Sequence, residues 1–145
     1  MDRLFLDANV LFSAAYRARA GLLEFWKLKN VVLCSSHYAV EEARINLEAE
    51  VQKHRLNELG KGLQLFDASQ RELPDGVSLS EKDVPILLAA LAARATHLVT
   101  GDLRDFGVYF GQKIEGVLVV MPATYLKSRH AHWRSKLIEQ EPSLA

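Results

Sequence analysis

Four short apolar runs, at residues 3–6, 31–34, 98–100 and 117–121, constrain the fold of this chain more than any other feature. Each is bounded by polar or turn-forming residues, and each reads as continuously apolar rather than alternating. A strand that is apolar on both sides has to be covered on both sides, the condition of a parallel sheet between helical layers. Helical periodicity fills the segments between the runs, so the expected chain order alternates strand with helix. Residues 59–78 interrupt that order with Gly60, Gly62, Pro74 and Gly76, and residues 63–66 fit a helix extension or a short strand. A short helix and a tail are expected at 127–145, appended to a domain of residues 1–126.

The 145 residues are enough for one domain with a real core. A hydrophobic fraction of 49% with 25% charged residues excludes a disordered chain. No apolar run approaches the roughly 18–20 residues of a membrane span, and no secretion-like leader opens the sequence. The lone Cys34 sits in an apolar run, as a small core residue of a reducing, cytoplasmic compartment. The formal net charge is zero, so attraction to nucleic acid would have to come from local basic patches.

Acidic residues mark where chemistry belongs. Leu4-Phe5-Leu6-Asp7-Ala8-Asn9-Val10-Leu11-Phe12-Ser13 runs an apolar strand into a carboxylate. Asp7 fits a helix N-cap and a functional acid equally well. His97-Leu98-Val99-Thr100-Gly101-Asp102-Leu103-Arg104-Asp105-Phe106 repeats the arrangement at a later strand. In a parallel sheet all carboxyl ends share one edge, so Asp7 and Asp102 are expected together. Residues 35–56 read as one long helix capped by Ser35 or Ser36, with apolar stripes Val40, Ala43, Leu47, Val51 and Tyr38, Ile45, Ala49, Leu56. Glu42 falls inside the second stripe, whereas Glu41 falls on a solvated face with Arg44, Glu48, Gln52 and Arg55. Ser80 and Asp83 have capping-box spacing ahead of Ile86, Leu87, Ala90 and Leu91, and spacing alone favours a capping role for Asp83. The first turns of these helices open on the same sheet edge, bringing Glu42 and Asp83 towards Asp7 and Asp102. Converging carboxylates repel one another and raise their pKa values. A hard divalent cation relieves this, and oxygen-only ligation suits Mg²⁺ or Mn²⁺.

These motifs resemble the PIN domain, the fold of VapC-type toxins and related metal-dependent ribonucleases. The resemblance runs from about residue 4 to residue 126. It rests on Leu6-Asp7-Ala8-Asn9-Val10-Leu11-Phe12-Ser13, Val40-Glu41-Glu42-Ala43-Arg44, Lys82-Asp83-Val84-Pro85-Ile86 and Val99-Thr100-Gly101-Asp102-Leu103-Arg104-Asp105-Phe106. Ala43 departs from the leucine the family often carries. The resemblance implies an α/β/α sandwich with a mostly parallel sheet, and hydrolysis of single-stranded RNA with Mg²⁺ or Mn²⁺. Asp7 and Asp102 would hold the ion, with Glu42, Asp83 and Asp105 completing its surroundings. Asn9 and Ser13 would orient Asp7, and Thr100 or Ser13 would bond a phosphate oxygen. Arg17 and Arg19, and the basic run Lys127, Arg129, Arg134 and Lys136 with His130, His132 and Trp133, are candidate RNA contacts; the bland alternative for the run is a solvated terminal helix. A small antitoxin partner and a homodimer are further implications.

Other readings remain on the sequence alone. A PIN nuclease of RNA processing and a non-catalytic PIN-like module that binds RNA or a partner both fit the motifs. A receiver domain would need adjacent acids after an early strand and a lysine after a late one, and a haloacid-dehalogenase phosphatase would need Asp-x-Asp, which Asn9 breaks.

Overall fold

The computed structural model describes residues 1–129. At its centre lies β1 (Asp2–Leu6), flanked in parallel by β2 (Val31–Ser35) and β4 (His97–Val99). β3 (Gln64–Leu65) extends the sheet in parallel beyond β2, and β6 (Val117–Val120) beyond β4. β5 (Lys113–Ile114) pairs antiparallel with β6 at the far edge. The spatial order is therefore β3-β2-β1-β4-β6-β5. Leu4, Phe5 and Leu6 of β1 are all fully buried. Successive strand residues point to opposite faces, so both faces of the sheet are covered. That coverage is the reason the runs are continuously apolar.

The covering helices are α1 (Ala8–Tyr16), α2 (His37–Asn46), α3 (Glu50–Gly60), α4 (Val84–Ala92), α5 (Leu103–Phe106) and α6 (Pro122–Arg129). Short 3₁₀ turns follow α1 at Gly21–Lys27 and α5 at Gly107–Tyr109. α6 runs on past residue 126. Cys34 is buried, and no helix among the described residues is long and apolar enough to cross a membrane.

Two elements differ from the sequence expectation or settle it. Residues 63–66 contain the short strand β3. The long helix expected over 35–56 is two helices, because Leu47 leaves helical geometry (φ −82°, ψ 135°) and buries its side chain. Ser36 caps the first helix by accepting the Ala39 amide at 3.0 Å. Gln52 folds back to accept the Ala49 amide at 3.1 Å and so starts the second. Once turned, α3 delivers Arg55 Nε to the Ala15 carbonyl at 2.9 Å and Arg55 Nη2 to the Tyr16 carbonyl at 3.0 Å. Gln52 Nε2 also donates to Tyr16, at 3.0 Å. These are terminal carbonyls of α1 that no helical amide reaches, and a cation there also suits the helix dipole. Gln52 and Arg55, both half-buried, therefore cap the end of α1 rather than standing free on the solvated face assigned to them by periodicity. Val51, Tyr38 and Ile45 are exposed, so neither stripe continues as a core face across the break.

Arg55→Ala is expected to lower unfolding stability by about 2 kcal/mol, the scale of charge-assisted hydrogen bonds left unmade. Arg55→Lys, with no fork to span two carbonyls, is expected to recover less than half of that loss. Urea denaturation followed by circular dichroism measures both.

Candidate functional site

Register places the site. Leu6 of β1 stands beside Val99 of β4, so Asp7 and Thr100 follow as neighbours at the carboxyl edge. The Asp7 amide continues the ladder by donating to the Val99 carbonyl at 3.0 Å. The strand order reverses at β1, and such a switch point opens a crevice at the carboxyl ends.

Asp7 does two jobs at once. Its Oδ1 accepts the Ala8 amide at 2.6 Å and caps α1. Its Oδ2 accepts from Thr100 Oγ1 at 2.8 Å and Asn9 Nδ2 at 3.1 Å. Asn9 Oδ1 in turn takes the Gly101 amide at 2.9 Å, and Thr100 Oγ1 takes the Asp102 amide at 3.0 Å. The start of α1 and the loop after β4 are thereby stitched together. Asp7 is only 3% exposed, and burial pushes its carboxyl up to about 6. The bonds from Thr100 and Ala8 oppose the rise, while the charges of Glu42 and Asp102 add to it.

Asp83 stands at the N-cap position of α4 yet makes no capping hydrogen bond, contrary to the expectation from spacing. Instead it accepts from Ser80 Oγ at 3.3 Å, and the same hydroxyl contacts Asp105 Oδ2. One oxygen each of Asp83, Asp102 and Asp105 lies within 4.8 Å of the others. Asp102 also caps α5, its Oδ1 accepting the Asp105 amide at 3.2 Å. Burial drives the Asp83 carboxyl well above the usual range, and its hydrogen bond with Asp105 adds to the rise. That same bond, with Ser80, holds Asp105 below the usual range. The two carboxyls are thus coupled, with proton affinity raised at Asp83 and lowered at Asp105.

Glu42, half-buried on α2, lines the cleft with these four aspartates; Glu41 points away and pairs with Arg44, whose Nε lies 3.0 Å from it. Helix geometry separates the two glutamates, although the stripe around Glu42 is not one face: Tyr38 and Ile45 are exposed, and Leu56, beyond the break, is in the core. The cleft encloses about 730 Å³, and Phe12, Asn46, Lys82 and Arg104 also line it. Lys82 Nζ sits 3.4 Å from Asp83 Oδ1 and 3.8 Å from Asp102 Oδ2. Its partial burial works against the charged form, but Asp83 and Asp102 raise the lysine's pKa overall. Lys82 and Arg104 also belong to the cleft, and their only signal in the sequence is adjacency to the acids Asp83 and Asp105.

Among solved structures, the chain is similar to one in the crystal structure of VapBC2 from Rickettsia felis bound to a DNA fragment from their promoter. The match has a TM-score of 0.62 at 19% identity and covers 82% of this chain and 98% of that one. The two share a fold. It is the mostly parallel α/β/α, PIN-like architecture expected from the sequence. No protein-family model and no curated protein matches the chain.

Several expected contributors lie elsewhere. Ser13 is not among the hydrogen-bond partners of Asp7 and does not line the cleft. Six residues of helix carry it about 9 Å up the axis. Thr100 is fully buried with its hydroxyl committed to Asp7, so it presents nothing to a phosphate in the cleft. Arg17 and Arg19 follow the far end of α1, about 14 Å of helix away from Asp7, and do not line the cleft. Arg129 donates to the Lys29 carbonyl at 2.9 Å and pairs with Asp2 at 3.7 Å, at the amino edge of the sheet. Lys127 is exposed on the same helix and also does not line the cleft. Arg134, Lys136, His130, His132 and Trp133 lie outside the described residues.

In metal-free protein Asp7 binds its proton more tightly folded than unfolded. Its contribution is therefore most favourable below pH 4 and is lost as pH rises through about 6. The loss amounts to about 3 kcal/mol at full effect. Urea midpoints in EDTA are expected to fall across this window, and Asp7→Asn is expected to remove part of the decline.

Proposed function

We propose that this chain is a metal-dependent endoribonuclease that hydrolyses single-stranded RNA, and that it is the toxin of a toxin–antitoxin pair. The observation that supports this most is the meeting of Asp7, Glu42, Asp83, Asp102 and Asp105, drawn from separate segments, in one cleft at the switch point. The donor set is entirely carboxylate oxygen, which fits Mg²⁺ or Mn²⁺. Asp7 and Asp83 are nearly buried, and each has a raised pKa that a cation would relieve.

Asp7, Asp102, Asp83 and Glu42 would hold the ion. Bound there, a divalent cation lowers the pKa of a water and neutralises charge on the attacked phosphate. Thr100 and Asn9 keep the Asp7 carboxylate aimed into the cleft. Asp105, hydrogen-bonded to Ser80 and held below the usual range, stays ionised beside Asp83 and Asp102 and adds negative charge to hold the ion. Arg104 brings positive charge to the rim, where it would meet phosphate, and Phe12 offers an aromatic surface to a base. The similar chain belongs to VapBC2 bound to promoter DNA; we extend to this protein a small antitoxin partner, a homodimer and a cytoplasmic setting.

Purified protein is expected to cleave a single-stranded RNA pool only when Mg²⁺ or Mn²⁺ is supplied. Asp7→Asn, Asp102→Asn and Glu42→Gln are each expected to lower the rate by about 10–100-fold or more. Glu41→Gln is expected to leave it near wild type. RNA binding without cleavage at any metal concentration would favour a non-catalytic module instead.

A further inference from the structure

We infer that Lys82 is a tethered counter-ion, whose ammonium occupies the acidic cleft without metal and must exchange with the cation on loading. The inference rests on the metal reading above and concerns how that same site is regulated. Lys82 Nζ lies between two of the three clustered aspartates, at 3.4 Å and 3.8 Å. Among the described residues no other basic side chain comes within ion-pair distance of Asp83 or Asp102. A divalent ion bound by those oxygens and an ammonium at those distances would repel at close range, so the two positions are alternatives.

The backbone that carries Lys82 is anchored. Tyr38 donates its hydroxyl to the Lys82 carbonyl at 2.9 Å, and the Asp83 amide donates to the Ser80 carbonyl at 3.0 Å. The side chain itself is 61% exposed, so its head swings on a four-carbon stem into solvent without disturbing the turn. An anchored root with a free head is what reversible exchange requires. Arg104 supplies the contrast, since it lines the same cleft without pairing with these acids.

Calorimetric titration with Mn²⁺ tests the inference on wild type, Lys82→Gln, Lys82→Arg and Arg104→Gln. Lys82→Gln is expected to tighten the Mn²⁺ Kd by about 5–10-fold, a modest factor because the ion pair is solvent-screened. Its metal-free melting temperature is expected to fall while the rise on adding Mn²⁺ grows. Lys82→Arg is expected to stay near wild type, and Arg104→Gln to shift the Kd less than about twofold. An unchanged or weaker Kd in Lys82→Gln overturns the inference, as does equal tightening in Arg104→Gln, which would reduce it to net charge. Failure of both wild type and Lys82→Gln to bind millimolar Mn²⁺ overturns the metal reading itself, and this inference with it.

Discussion

A carboxylate almost wholly removed from water at the end of the central strand sets the terms for the rest of the molecule. Isolated, a buried ionised carboxylate is very unfavourable. Asp7 is tolerated because a hydroxyl, an amide side chain and a backbone amide converge on it. Two of those donors come from its own helix start, and the third comes from the neighbouring strand. The arrangement therefore demands a parallel β1–β4 pair, a helix beginning at once after β1, and a short loop after Val99. Each of these is a statement about fold, made necessary by one side chain.

The opposite wall of the cleft handles its charge differently. Ser80 bridges Asp83 and Asp105, and the Lys82 ammonium lies within ion-pair distance of Asp83 and Asp102. Buried hydrogen-bond donors stabilise one wall; a bridging hydroxyl and an exposed ammonium stabilise the other. Only the second arrangement is easily displaced, so the cleft has a fixed side and an adjustable side.

Much of this was legible in the residues. Continuous apolar runs gave the parallel sheet, and strand ends placed Asp7 and Asp102 on one edge. Helix geometry distinguished Glu42 from Glu41, though the apolar stripe used to do so does not persist as one face. The break at Leu47 was not legible, because Leu47, Glu48 and Ala49 all tolerate helix. What decides the break is the need of α1 for donors at its carboxyl end, a tertiary demand absent from local propensity. The β5–β6 hairpin was missed for a related reason: its two-residue turn puts Glu115 at φ 47° beside Gly116 at φ 89°, and glutamate is not a usual residue for that conformation. Asp83 was ambiguous because a cap and a cleft acid occupy the same position at a helix start. The arginines after α1 were misplaced for a simpler reason. A helix that returns along its strand delivers its carboxyl end to the opposite edge of the sheet.

The pairing of Leu6 with Val99 carries a further consequence. Side chains alternate along a strand, so slipping β4 by one residue would replace Thr100 with a neighbour that faces the other way. Asp7 would lose its hydroxyl donor and the loop its tie to Asn9 in the same step. Correct pairing of β1 with β4 is therefore what brings Asp7 to the group formed by Asp83, Asp102 and Asp105.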